Sequence, residues 1–176
     1  VLFPRKGAWL PRTDPETANV ETMMKRLEEE TDGLAVAHHI SWELTGSSRD
    51  RFVEVCSSWR VCMEEKDFIR CRLAAGDRFT FFGSSDTHRA VPGLGGALTG
   101  IYATELTPEA LFEGIRKGRT IATQGRMLPL ELRVEHLFCG SAGTVAPAPK
   151  LHVRVQAQLQ PQSHLPLPPG CRLERV

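Results

Sequence analysis

Three short runs, "LAVAHHI" (34–40), "RFVEVCSS" (51–58) and "RFTFFGS" (78–84), are almost wholly apolar. Such runs suit strands buried on both faces, the condition of a parallel sheet covered by helices. Helical patterns lie around them. "TDPETANVETMMKRLEEETDG" predicts a helix with Asp14 as N-cap and Pro15 at its first position. Val20, Met23, Met24 and Leu27 mark one face of it, and Gly33 ends it. "EEKDFIRCRLAAGD" predicts a second helix, with Phe68, Ile69 and Leu73 inward and Gly76 as its stop. "TPEALFEGIRKGR" predicts a third, capped by Thr107, begun by Pro108 and ended by Gly118, with Leu111, Phe112 and Ile115 inward. The short runs "GIYA" and "TIAT" flank that helix as strands. Strands alternating with helices through residue 123 predict a parallel α/β sheet or barrel.

Beyond residue 126 the period changes. "LELRVEH" and "KLHVRVQAQL" alternate apolar and polar residues, as half-buried antiparallel strands do, with the loop "GSAGTVAPAP" between them. Residues 1–126 therefore read as an α/β part and residues 127–176 as a β-rich segment. The chain opens at Val1, and its last residues, "CRLERV", read like the start of a further strand. It is accordingly expected to be an internal segment of a longer protein, truncated in its β-rich part.

Charge excludes some partners. Twenty-two basic against 21 acidic residues give a net charge of +1, which supports neither nucleic acid nor an anionic membrane as a ligand. No apolar stretch approaches the roughly 18 residues of a membrane span. The five cysteines form no CxxC pair and are odd in number, which suits free packing thiols in a reducing compartment such as the cytoplasm.

The residues able to carry chemistry cluster at predicted strand ends. Asp86 and His88 follow the third apolar run, two positions apart, so that on a strand both side chains project to one side. A carboxylate and an imidazole so placed can hold a transition metal. The ordinary alternative is an Asp86 that caps a turn and a solvated His88. His38 and His39 end the first run, and adjacent strand residues point to opposite sides, so one of them can face the Asp86–His88 loop. The ordinary alternative here is a buried histidine with a backbone partner, but two α/β strand ends bearing ligand-type residues make a stronger case for a metal than one. Glu54, within the second run, is either a carboxylate that orients a ligand histidine or an ordinary strand residue. Arg126 is either an anion contact or a surface arginine. "PGLGGALTG" has the glycines of a nucleotide loop without its pattern: Leu98 stands where GxGxxG needs glycine, and no Lys-Ser or Lys-Thr follows Gly100. Close backbone approach or a flexible rim is the expectation there.

The series "VAHHISW", "VEVCSSW", "GSSDTHRAVPG" and "LTGIYATELTPEALFEGIRKGRTIATQG" resembles the C-terminal half of a PHP (polymerase and histidinol phosphatase) domain. More closely, it is similar to a PHP-related family of unknown function. The likeness runs over about residues 1–135 and is most specific across 83–125. It implies the C-terminal portion of a distorted (β/α)7 barrel. It also implies divalent metal ions (zinc, manganese or iron) and phosphoesterase-like hydrolysis of a small, phosphorylated substrate. By position, Asp86 and His88 match the superfamily's last ligand motif, and His38 matches the histidine that ends an earlier strand. His39 is the extra histidine of this branch. The opening His-x-His motif and the later His and Glu ligands have no counterpart here, which assigns them to a missing N-terminal half of the same protein. Ile121 and Gln124 replace the usual tyrosine and second threonine of "YATTG". Three readings follow: a segment of a metal-dependent hydrolase that activates water with metals held by His and Asp, a degenerate PHP-like module with a binding or structural role, or a plain metal-free α/β domain in which these histidines are structural.

Overall fold

A computed structural model of the chain describes residues 2–3, 13, 15, 19–38, 44–57, 66–88, 96–124 and 128–155. It mixes helices and strands in the manner of an α/β fold. The first helix, α1 (Val20–Glu30), begins five residues later than expected. Asn19 takes the cap, its side chain accepting a hydrogen bond from the Thr22 amide, while Asp14 lies outside the described residues. An Asn side chain satisfies an amide at a helix start as well as an Asp does, so the nearer cap competes on equal terms. Met24 and Leu27 are buried from α1 against Ala35, whereas Val20 is exposed.

The parallel sheet is short and built in chain order: β1 (Val36–Ala37), β2 (Phe52–Cys56) and β3 (Thr80–Gly83). Val36 pairs with Phe52 and Ala37 with Val53, and Phe52 pairs in turn with Thr80. All five residues of β2 are buried, as an apolar strand between two neighbours and two covered faces requires. Val53 and Val55 pack with Ile69 of α2 (Lys66–Ala74) in the main core, which Ala97, Phe79 and Phe81 extend. On α2 the expectation fails for Leu73, which is exposed, and the Phe68 side chain lies outside the described residues. A helix this short covers the sheet with a narrow stripe, and Leu73 falls at its open end.

From residue 96 the parallel expectation is corrected. β4 (Ala97–Ile101) and β5 (Thr120–Gln124) pair antiparallel, Leu98 with Thr123 and Ile101 with Thr120. The stretch read as a glycine rim is thus strand from Ala97 onward. Between the two strands, residues 102–107 lead the chain out and α3 (Pro108–Arg116) brings it back to the same end, where the Tyr102 amide donates to the Arg119 carbonyl. A parallel crossover would have to return it to the opposite end. α3 itself matches its signals: Thr107 caps, Pro108 stands in the first turn and Gly118 follows the last.

Near the end of α3, hydrogen bonds from Arg116 and Lys117 hold the Glu113 carboxyl at about 2, below its ordinary 4.5. A depressed carboxyl stabilises the fold above its ordinary value, and the contribution is lost as pH falls from about 4.5 to about 2. An NMR titration should find the Glu113 midpoint near 2 in the parent. In an Arg116→Gln variant it should move towards 4.5. An unchanged midpoint would remove Arg116 as the cause.

The β-rich segment forms a separate antiparallel sheet of β6 (Leu130–Val134), β7 (Leu137–Phe138) and β8 (Leu151–Val155), ordered β7-β6-β8. It meets the α/β part through Phe138, whose ring lies edge-on to Tyr102 at 4.8 Å. Cys139 Sγ adds contacts to the Gly118 and Thr120 carbonyls at 3.7 Å each. β8 corrects the half-buried expectation: Leu151, Val153 and Val155 share a face by alternation, yet all three are exposed. Antiparallel pairing to β6 satisfies the backbone without requiring a second layer over those side chains. Cys56 is buried as expected of a packing thiol and Cys71 is not. Among the described residues no helix is long and apolar enough to cross a membrane.

Candidate functional site

The register of β1 on β2 places the next residue of the chain, His38, beside Glu54. His38 Nδ1 lies 2.5 Å from Glu54 Oε2, and His38 Nε2 lies 3.7 Å from Asp86 Oδ1. Glu54 is almost fully enclosed, with only 2% of its side chain exposed, while the His38 side chain is 46% exposed and Asp86 17%. Burying a carboxylate is costly unless its oxygens are hydrogen-bonded. Both are engaged here: Ser84 Oγ donates to Glu54 Oε1, and His38 stands against Oε2. Ser84 is in turn fixed by its backbone, its amide donating to the Cys56 carbonyl and its carbonyl accepting from Ala97.

Close packing at Gly83 makes that arrangement possible. A Cβ there would stand 2.7 Å from the Leu98 carbonyl oxygen, and Thr99 Oγ1 donates to the Gly83 carbonyl at 2.6 Å. β4 can therefore close on the end of β3 just where the chain turns towards Asp86. A change of register between Glu54 and Cys56 lies at the same end of the sheet. Asp86 has φ 42°, a left-handed conformation that Asp tolerates better than most residues and that re-aims its carboxylate.

This conformation changes the argument from spacing. β3 ends at Gly83, so residues 86–88 are not a strand, and the period of two that set Asp86 and His88 side by side does not apply. Asp86 reaches His38, and His88 is exposed at the lip of the loop. His39 and Arg126 lie outside the described residues. Glu54 is placed against the ligand-type histidine, and Ser84 is a participant that the sequence reading missed. The available signal was its position: the first hydroxyl after the apolar run that becomes β3, the strand next to the one bearing Glu54.

The electrostatics of the trio follow from which atoms can donate. A carboxylate only accepts, so the proton in the short contact sits on His38 Nδ1. In the neutral imidazole this leaves a lone pair on Nε2, facing Asp86. A separation of 3.7 Å is too long for a direct hydrogen bond. It is close to the spacing of two donors that share one tetrahedral ion, about 3.4 Å when each is about 2.1 Å from it. A carboxylate on the far nitrogen is the usual partner of a ligand histidine. Two atoms, His38 Nε2 and Asp86 Oδ1, are thus spaced to share a cation, and no group of three or more His, Cys, Asp or Glu side chains that could hold a metal ion is found among the described residues.

Comparison of the chain with protein-family models, with curated proteins and with solved structures finds no match.

Proposed function

We propose that this chain is the C-terminal part of a PHP-type metal-dependent hydrolase, phosphoesterase-like in its chemistry, whose remaining metal donors come from a preceding segment of the same protein. The observation that carries the proposal is His38 held between an enclosed Glu54 and Asp86 at the carboxyl ends of parallel strands. That is the end of the sheet at which α/β folds place their chemistry. The in-order arrangement β1-β2-β3 also suits a barrel, which winds in one direction, better than a doubly wound sheet, whose order reverses.

In this reading His38 Nε2 and Asp86 would hold a divalent ion such as zinc, manganese or iron, which would supply an activated water and charge neutralisation for a phosphate ester. Glu54 keeps the proton on His38 Nδ1, so that Nε2 remains a donor of electrons. Ser84 locks Glu54 in turn, and the left-handed turn at Asp86 aims a negative charge at the same point. His88, exposed nearby, supplies a further nitrogen at the rim. The substrate class is a small phosphate ester.

Metal content of the purified chain, followed by calorimetric titration with zinc and manganese, tests the proposal. The parent is expected to bind metal, and Asp86→Asn to lose it while keeping a residue tolerant of the left-handed turn. Glu54→Gln should weaken binding about 10–100-fold, the usual cost of losing the partner of a ligand histidine. A parent that takes up no metal, or variants that bind as well as the parent, would leave a PHP-like module with a binding or structural role.

A further inference from the structure

At the opposite end of the parallel sheet, the residues leading into β2 and β3 open on a cleft of about 610 Å³. Its charged lining among the described residues is one-sided: Arg51, Arg78, Arg116 and Lys117 against the carboxylate of Asp77. Asp77 is already committed, its Oδ2 lying 2.5 Å from Arg72 Nε. Arg116 and Lys117 share Glu113, at 2.7 and 3.0 Å. Arg51 and Arg78 are exposed and make no ion pair among the described residues. In a chain with a net charge of only +1, two unpaired guanidinium groups at one cleft are a local excess, with Arg116 and Lys117 adding to it.

The wall also contains an unmet hydrogen bond. Thr80 lines the cleft, and its Oγ1, enclosed in the wall, has no hydrogen-bond partner among the described residues. Enclosed hydroxyls normally have one, and leaving one unsatisfied is costly. The other side of the cleft is formed by backbone: Gly140 sits so close to the end of α3 that a Cβ on it would stand 2.2 Å from the Lys117 carbonyl oxygen. Phe79 and the exposed Leu73 add an apolar flank.

We propose that this cleft binds a small phosphorylated molecule, its phosphate held by Arg51 and Arg78 beside Thr80 and its apolar or aromatic body laid against Phe79 and Leu73. Guanidinium groups match phosphate oxygens two at a time, which a lysine cannot do. The volume suits a ligand of nucleotide size, and the cleft walls suit a compact ligand better than an extended polymer. The distance from His38 is about the length of β2, roughly 16 Å at about 3.3 Å per residue, so the two sites can be tested independently.

The test is titration of the chain with inorganic phosphate, AMP and adenosine, followed by NMR and calorimetry in the presence of EDTA, which excludes anion binding through a metal. AMP is expected to bind more tightly than phosphate, and adenosine not at all. Arg51→Gln and Arg78→Gln, both at exposed positions, should each weaken AMP about tenfold, as the loss of one charge-assisted hydrogen bond does. Asp86→Asn should leave AMP affinity unchanged. Absence of saturable binding by AMP up to roughly 10 mM, the limit of measurable association, would overturn the proposal. So would arginine variants that bind like the parent, or adenosine that binds as well as AMP.

Discussion

The His38→Ala variant should be less stable than the parent by about 2–3 kcal/mol, and adding Glu54→Leu should recover most of that loss. Removing one member of a buried pair strands the other, at a cost of about 3–5 kcal/mol when both are enclosed. Here only Glu54 is enclosed, and water can enter the space left by a half-exposed His38, which sets the smaller figure. Glu54→Leu removes the enclosed carboxylate that His38→Ala deprives of its imidazole partner, exchanging a charge for an apolar side chain of similar size in a strand that is otherwise apolar. Ser84 then loses its acceptor but is only partly buried, so the double variant should come close to the parent. Urea denaturation of the parent, both single variants and the double variant measures this. A double variant no more stable than His38→Ala would show that Glu54 is not kept in place by His38.

Gly140→Ala should cost about 3 kcal/mol and lower the melting temperature by roughly 10 °C. Gly140 has φ 79°, where an L side chain costs about 1–2 kcal/mol. The added Cβ also meets backbone: the Lys117 carbonyl oxygen at 2.2 Å and the Gly118 carbonyl carbon at 2.9 Å. Neither neighbour is the far end of a flexible side chain, so relief requires the turn after β7 to separate from α3. That would weaken the Cys139 contacts to the Gly118 and Thr120 carbonyls and the Tyr102–Phe138 edge contact. Overpacking of this kind adds about 1–3 kcal/mol. Gly46→Ala supplies the comparison. Gly46 has φ 82° with no described residue within 4 Å of its Cβ position, so thermal melts of the two variants separate backbone strain from collision. Equal losses would mean that the β-rich sheet does not press on α3 at Gly140.

The elements themselves were legible because their signals are local. Thr107 and Pro108 start α3 wherever it packs, and an unbroken run such as "FVEVC" leaves little but a buried strand. The misplaced start of α1 has the same origin: Asp14 and Asn19 are both good caps, and no local signal separates them. Of the candidate site, residue types at strand ends pointed to His38 and Asp86. Asp86 and His88 do not share a side by strand alternation, because β3 stops at Gly83.

The sequence by itself determined the kinds of element, their order and the chemistry available at their ends. Tertiary structure alone decided that β4 and β5 run antiparallel and that the apolar side chains of β8 stand exposed. It also decided that His38 meets Glu54 across 16 residues and Asp86 across 48, and that Arg51 and Arg78 share one cleft. The reason is one of range. Caps, periodicity and turns act over a few residues, whereas strand direction and side-chain partnership depend on where distant stretches of backbone come to lie.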